Sequence, residues 1–522
     1  MYQCLSCGGN LKFDISSQML SCMYCNALFN PYDVVKETDA ALNDSFEAKI
    51  FTCSQCGGEV YTVDNESASF CSYCGASAIL TERISNEKCP DHIITFKVTK
   101  EDCKRQYKKI MSKAFFAPNK LKNSDFIDGF RGIYMPYWNY CIKQEGEIDI
   151  PAWRSYYESN DKHTEHYYIT GNISAKLSGD VHDASANFYD EISEALEPYD
   201  ISDSVDFTPS FLSGFYAEAP NVTEHMYKND AIEMLEKNSI ENIKKHFSNA
   251  YSIDENRRNG FRQWPLGEID SVKTTMMPVW FLSYRNKDRV AYATVNGQTG
   301  KVVADIPVSI WKYIIVSLLM SLPMFLFLNI TWFFTPPVLL IICMVLLAVT
   351  GVICKNEIKE IYEKENNIGD IGLEWKKYGM RVTPPKTQKN RYKKNWMKLF
   401  MHSLIPWIFV QLMFLANNQV FLLTPVIIAV ITVGVVVVSL EQQRKIKARG
   451  FTIALILSIL VVLYATFMFL IEPTEDIWYY SAILGILFAI LINFIFIIKN
   501  FNRIAMRRLP QFDKKGGDDG AY

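Results

Sequence analysis

The chain has 522 residues, 54 basic and 56 acidic side chains, a formal net charge of −2 and a mean hydropathy of +0.01. That average conceals a polar stretch up to about residue 310 followed by an apolar one, which excludes a wholly soluble globular chain. The polar, cysteine-rich first residues do not read as a secretory signal peptide, and a reducing compartment turns paired cysteines towards metal rather than disulfides.

Residues 1–80 hold a duplication. Cys4, Cys7, Cys22 and Cys25 recur 49 residues later as Cys53, Cys56, Cys71 and Cys74, each set reading C-x2-C, fourteen residues, C-x2-C. This is the spacing of a tetrahedral Cys4 zinc ribbon, in which two tight turns aim four thiolates at one ion. Such turns favour a residue tolerant of positive φ after the second cysteine, and Gly8, Asn26, Gly57 and Gly75 stand there. Protein fills all four positions, so two structural zinc ions are expected, in ribbons spanning 1–32 and 51–80 with an acidic linker over 33–50. Residues 1–80 carry three lysines (Lys12, Lys36, Lys49) against nine acids, a net of −6 that repels a phosphate backbone and favours a protein partner.

Residues 90–308 read as a cytosolic α+β domain. Ile93 to Val98 alternates like a strand, and Thr99 with Asp102 forms a capping box that opens a helix. Cys103, Tyr107, Ile110, Met111 and Ala114 make the apolar side of that helix, opposite a basic face read as solvated; lipid contact by that face is the alternative. Met135-Pro136-Tyr137-Trp138 is echoed by Met277-Pro278-Val279-Trp280. Both lead into strand-like runs, with proline expected to confine each motif to a strand start or a sheet edge. Asn296-Gly297 marks a hairpin turn, and Thr223 to Phe247 carries helical periodicity. His163 and His166 read as surface residues, and Cys89, Cys103, Cys141, Cys343 and Cys354 as buried, inert thiols.

From residue 311 to 500 six apolar runs follow: Tyr313 to Phe333, Pro336 to Cys354, Leu399 to Ala416, Val420 to Leu440, Phe451 to Ile471 and Ser481 to Ile498. Each is roughly the length an α-helix needs to cross a hydrocarbon core about 30 Å thick. Basic joints alternate with neutral or acidic ones. Residues 355–398 carry twelve Lys or Arg against six acids, whereas the last joint has Glu472, Glu475 and Asp476. By the positive-inside tendency the runs form three transmembrane hairpins with both termini, including the tail 501–522, in the cytosol.

The chain resembles bacterial membrane proteins with TFIIB-like zinc ribbons, the YdjG-like group found with phage-shock-type membrane-stress proteins. The residues carrying the likeness are the Cys4 sets, Phe115-Phe116-Ala117-Pro118, Gly132 to Trp138, Phe211 to Glu218, and Met277 to Trp280 through Asn296 to Lys301. The likeness covers roughly residues 1 to 310. It implies a membrane adaptor that recruits PspA-like and SPFH (flotillin-like) proteins to the cytoplasmic membrane under envelope stress, with possible oligomerisation and no catalytic residues. No P-loop, G-x-G-x-x-G after a strand, H-E-x-x-H or G-x-S-x-G is found, so the expectation is a non-enzymatic scaffold. The alternatives are a transporter or channel regulated by the ribbons, for which His402, Gln411 and Asn493 are the polar exceptions in the spans, or a membrane-tethered nucleic-acid binder.

Overall fold

The computed structural model describes residues 2–34, 45–64, 71–76, 81–158, 161–247, 251–253, 261–331, 335–366, 370–373, 418–444 and 449–510. A small sheet of β1 (Leu11–Asp14), β2 (Met19–Cys22) and β3 (Leu28–Phe29) forms the first ribbon. Its base is built into the domain behind it. Phe13 lies edge-on to Phe211 at 5.5 Å, Gln18 donates to the Phe96 carbonyl at 2.8 Å, and Leu11, Leu20 and Cys22 share one core with Phe96, Tyr107 and Tyr134.

The remaining thirteen strands form one sheet. β4 (Ser45–Thr52), β5 (Glu59–Thr62) and β6 (Thr81–Lys88) belong to the second ribbon, and β5 joins the main sheet through Tyr61 opposite Ala217. β4 starts inside the stretch expected to be linker, because Phe46, Ala48 and Ile50 alternate inward onto the core. Residues 35–44 lie outside the described residues. Next come β7 (His92–Ile93), α1 (Lys100–Lys113) and α2 (Ser124–Ile127). The Thr99 hydroxyl accepts from the Asp102 N–H at 3.2 Å, and Cys103, Tyr107 and Met111 are buried. On the basic face Lys104 pairs with Glu101 and Asp128, as on an ordinary domain helix.

β8 (Arg131–Glu158) and β9 (Asp161–Asp183) make a long hairpin with His163 and His166 exposed near its tip. After α3 (Asp190–Leu196), β10 (Val205–Asp206) and β11 (Tyr216–Ala217), α4 (Lys228–Phe247) packs along that hairpin, where β12 (Ser252–Ile253) also pairs. β13 (Glu268–Asn286), β14 (Arg289–Asn296) and β15 (Val302–Ala304) complete the centre.

The two Met-Pro motifs are direct neighbours: β8 and β13 run antiparallel with Met135 opposite Met277. This corrects the expectation that each proline sits at a strand start or sheet edge, since Pro136 and Pro278 lie within central strands. Each stands one residue before the ladder to the next strand opens, at Tyr137 opposite Asp183 and at Val279 opposite Asn296. There a carbonyl is needed and no N–H: Pro136 O accepts from Ala184 N and Pro278 O from Gly297 N, both at 2.8 Å.

The C-terminal block contains α5 (Ile310–Thr331), α6 (Pro336–Glu365), α7 (Asn418–Arg444), α8 (Arg449–Ile471) and α9 (Asp476–Ala505), followed by β16 (Arg507–Arg508). Among the described residues, three helical stretches are long and apolar enough to cross a membrane: Pro336–Glu365, Ala454–Ile471 and Asp476–Ala505. Ile310–Ser321 and Pro425–Leu440 are shorter apolar stretches, and the expected third run, with His402 and Gln411, lies outside the described residues. Six spans are therefore more than the described helices support. Asn493, buried among helices, donates to Thr350 Oγ1 at 3.3 Å and Ser458 Oγ at 3.2 Å and so ties α9 to α6 and α8.

α6 and α9 outrun their apolar cores on one side, where the sheet domain meets them. β16 pairs with β14, Val308 and Asn502 exchange two hydrogen bonds (2.6 and 2.8 Å), and Glu365 binds Arg289, Arg503 (2.6 Å) and Arg508 (2.7 Å). Arg507, stacked 3.9 Å from the Tyr189 ring, reaches Glu191 at 2.7 Å. Beyond α6, the Ile371 N–H donates to Asp190 at 2.7 Å. The ends of α7 and α8 nearest the basic joint 444–449 pack on this same side, Val436 and Leu455 meeting Cys354 and Ile358.

Candidate metal centres

Each C-x2-C turn closes in the same way. The N–H groups of Gly8, Asn26, Gly57 and Gly75 donate to the carbonyls of Cys4, Cys22, Cys53 and Cys71 at 2.8 to 3.0 Å. A return bond runs from each of those cysteine N–H groups to the residue after the turn. This geometry forces a left-handed backbone, and the four turn residues adopt φ of 71°, 58°, 74° and 65°. The sulfurs converge as a consequence. Cys4–Cys25, Cys7–Cys22 and Cys7–Cys25 stand 3.5 Å apart, Cys53–Cys74 3.8 Å and Cys56–Cys71 3.6 Å.

Four thiolates about 2.3 Å from a tetrahedral ion have edges of about 3.8 Å, so both sets fit a metal such as zinc with little adjustment. N–H groups of Cys25 and Tyr24 hold the Cys22 thiol down to about 6, and a hydrogen bond from Cys71 leads the same effect at Cys53, also about 6. Both shifts favour the thiolate, whereas Cys7, Cys25, Cys56 and Cys71 in the same sets are shifted upward. All eight sequence-predicted ligands are thus brought together four by four. Of the other cysteines, Cys103, Cys343 and Cys354 are buried as expected, whereas Cys89 and Cys141 are partly exposed.

The two centres differ in setting. In the second, all four cysteines are buried, Tyr73 donates to Glu218 at 2.5 Å and packs on Phe281, and Arg285 donates to Gln55 at 2.8 Å. Glu218 also accepts from Ser185 and Asn187, which fixes the carboxylate under the ribbon. In the first, Cys7 and Cys25 are exposed, and the turn tips project Leu5 (72% exposed), Met23 (70%) and Tyr24 (78%). Tyr24 and Tyr73 are equivalent at the 49-residue offset. The repeat itself pointed to that pair, but which copy is covered depends on contacts with Glu218 and Phe281, more than 140 residues away.

The uncharacterized protein YdjG of Bacillus subtilis strain 168 is 30% identical over 312 residues, which are 59% of this chain and 90% of that relative. The chain belongs to the YdjG family. No protein-family model and no solved structure matches it. The YdjG relative thus accounts for less than two thirds of the present chain while being almost wholly covered by it.

Proposed function

We propose that this member of the YdjG family is a non-enzymatic membrane scaffold whose first zinc ribbon receives a partner protein at the cytosolic face of the cytoplasmic membrane. Zinc occupies both Cys4 sets, the apolar runs form three hairpins, and both termini are cytosolic. The observation that carries the reading is the contrast between equivalent turn tips. In the second ribbon the turn at 71–74 is covered by the chain's own sheet and the other turn exposes only the polar Ser54 and Gln55, whereas the first ribbon holds Leu5, Met23 and Tyr24 in solvent on a base anchored to the domain. Rigid, exposed apolar anchors are what protein interfaces use as hot spots. A net of −6 over residues 1–80 weighs against nucleic acid. The TFIIB-like resemblance adds PspA-type and SPFH-type proteins of an envelope-stress response as the partners.

The test is crosslinking from intact membranes with the full chain and with a Leu5→Ser, Met23→Ser, Tyr24→Ser variant, with metal content measured in parallel. The variant keeps both ions and loses at least tenfold in recovery of a PspA-type or SPFH-type protein. Equal recovery of that protein by both chains removes the ribbon from the interface.

A further inference from the structure

β6 is the outermost strand of the thirteen-stranded sheet, and among the described residues it pairs with β4 alone. It is eight residues long and mostly exposed, with Ile84 64% exposed, so a row of backbone donors and acceptors is open to another strand. Edge strands are usually protected by charge, and the charges here have an order that protection alone does not require. The sequence runs Glu82, Arg83, Ile84, Ser85, Asn86, Glu87, Lys88.

Glu82 pairs within the chain with Lys49 at 2.7 Å, and Arg83 with Glu59 at 3.2 Å. Glu87 and Lys88, at the other end, have no ion-pair partner among the described residues. Each end of the strand therefore carries one acid and one base in the same order, so that positions equidistant from Ser85 are opposite in charge. We propose that β6 is a self-association edge, on which a second copy of this chain adds its own β6 antiparallel about a two-fold axis through Ser85.

In that register Glu82 faces Lys88 of the second copy and Arg83 faces Glu87, and the symmetry repeats both, so four opposite-charge pairs form per dimer. Ile84 then lies opposite Asn86, and Ser85 opposite itself. Neighbouring registers fail on charge. A shift of one residue one way sets Glu82 against Glu87, and the other way sets Arg83 against Lys88. Parallel in-register pairing sets every charge against its own copy. Charge complementarity thus selects both the partner and the register, and the pairing extends the sheet from one protomer into the next.

The full chain in detergent is examined by sedimentation at several concentrations. Wild type is a dimer. A basic variant, Glu82→Lys with Glu87→Lys, and an acidic variant, Arg83→Glu with Lys88→Glu, each weaken self-association by about tenfold or more at low salt. Mixed together they form a heterodimer, because every facing pair is again opposite in sign. A wild type that stays monomeric, variants that dimerise as wild type does, or a mixture that stays monomeric while both variants keep the wild-type melting temperature each overturn the proposal.

Since each variant also breaks an in-chain pair, an early-melting variant hands the decision to Ser85→Cys. Facing Cα atoms about 4.5 to 5.5 Å apart suit a disulfide. The Ser85→Cys chain gives a disulfide-linked dimer above the wild-type background under mild oxidation, and its absence overturns the proposal.

Discussion

A single residue type, cysteine, carries most of the chemistry, and its surroundings decide what each copy does. Cys22 and Cys25 close an exposed centre, so replacing both with serine lowers bound metal from two ions to one per chain and loosens the first ribbon, leaving the sheet intact. Elemental analysis and limited proteolysis read the two effects. The same change at Cys71 and Cys74 opens a centre whose four ligands are all buried against the sheet, and it lowers the melting temperature as well. Asp183 is a second residue governed by burial. Its carboxyl is lifted to about 8 chiefly by loss of solvent, with Asp370 adding to the rise against a hydrogen bond from Ser193. A carboxyl raised in the folded state binds its proton more tightly there than in the unfolded chain. Its contribution to stability is fully present at acid pH and is lost as pH rises towards 8. Between pH 6 and 8, Asp183→Asn makes the fall in melting temperature with pH shallower; an unchanged slope refutes the assignment.

Among the elements, the ends of α6 and α9 join the membrane block to the sheet. Glu365 is nearly buried and faces three arginines from two further elements and the strand after α9. Removing the shared carboxylate leaves three like charges together, at a cost below the about 3 to 5 kcal/mol of a fully buried pair because Arg508 is 62% exposed. Glu365→Ala should therefore release β16 from β14, seen as faster amide exchange at Val290 and Arg507, while the apolar helices remain packed through Leu340, Met344, Val462 and Ile486. Unchanged exchange would mean that backbone pairing alone holds the junction. The two proline motifs show the same dependence of an element on its neighbours. Each proline is compatible with a central strand because its missing N–H falls where no ladder bond is due.

At the scale of the molecule, the sheet domain, the first turn of α5 and the last turns of α6 and α9 share one side of the helical block, where Val436 of α7 and Leu455 of α8 also pack. By the positive-inside tendency, the proposed orientation puts the domain in the cytosol. Cysteine labelling of intact cells at position 474, in the acidic joint between α8 and α9, reports accessibility from outside, and labelling at position 390 reports it only after permeabilisation. The reverse pattern overturns the orientation.

The amino-acid order alone determined the two sets of four cysteines, the turn residues with positive φ, the helix opened by Thr99 and the apolar character of the last third. Each of these rests on spacing or composition within a few residues, which local backbone geometry and hydrophobicity translate directly. Tertiary structure alone decided that the echoed Met-Pro motifs pair with each other, that the last residues of the expected linker enter β4, that the stretch after α9 pairs as β16, and that the turn at 71–74 is covered while its counterpart at 22–25 is exposed. Those outcomes depend on contacts between residues scores to hundreds of positions apart, whose energies come from burial and desolvation at the meeting point and leave no local periodicity to read.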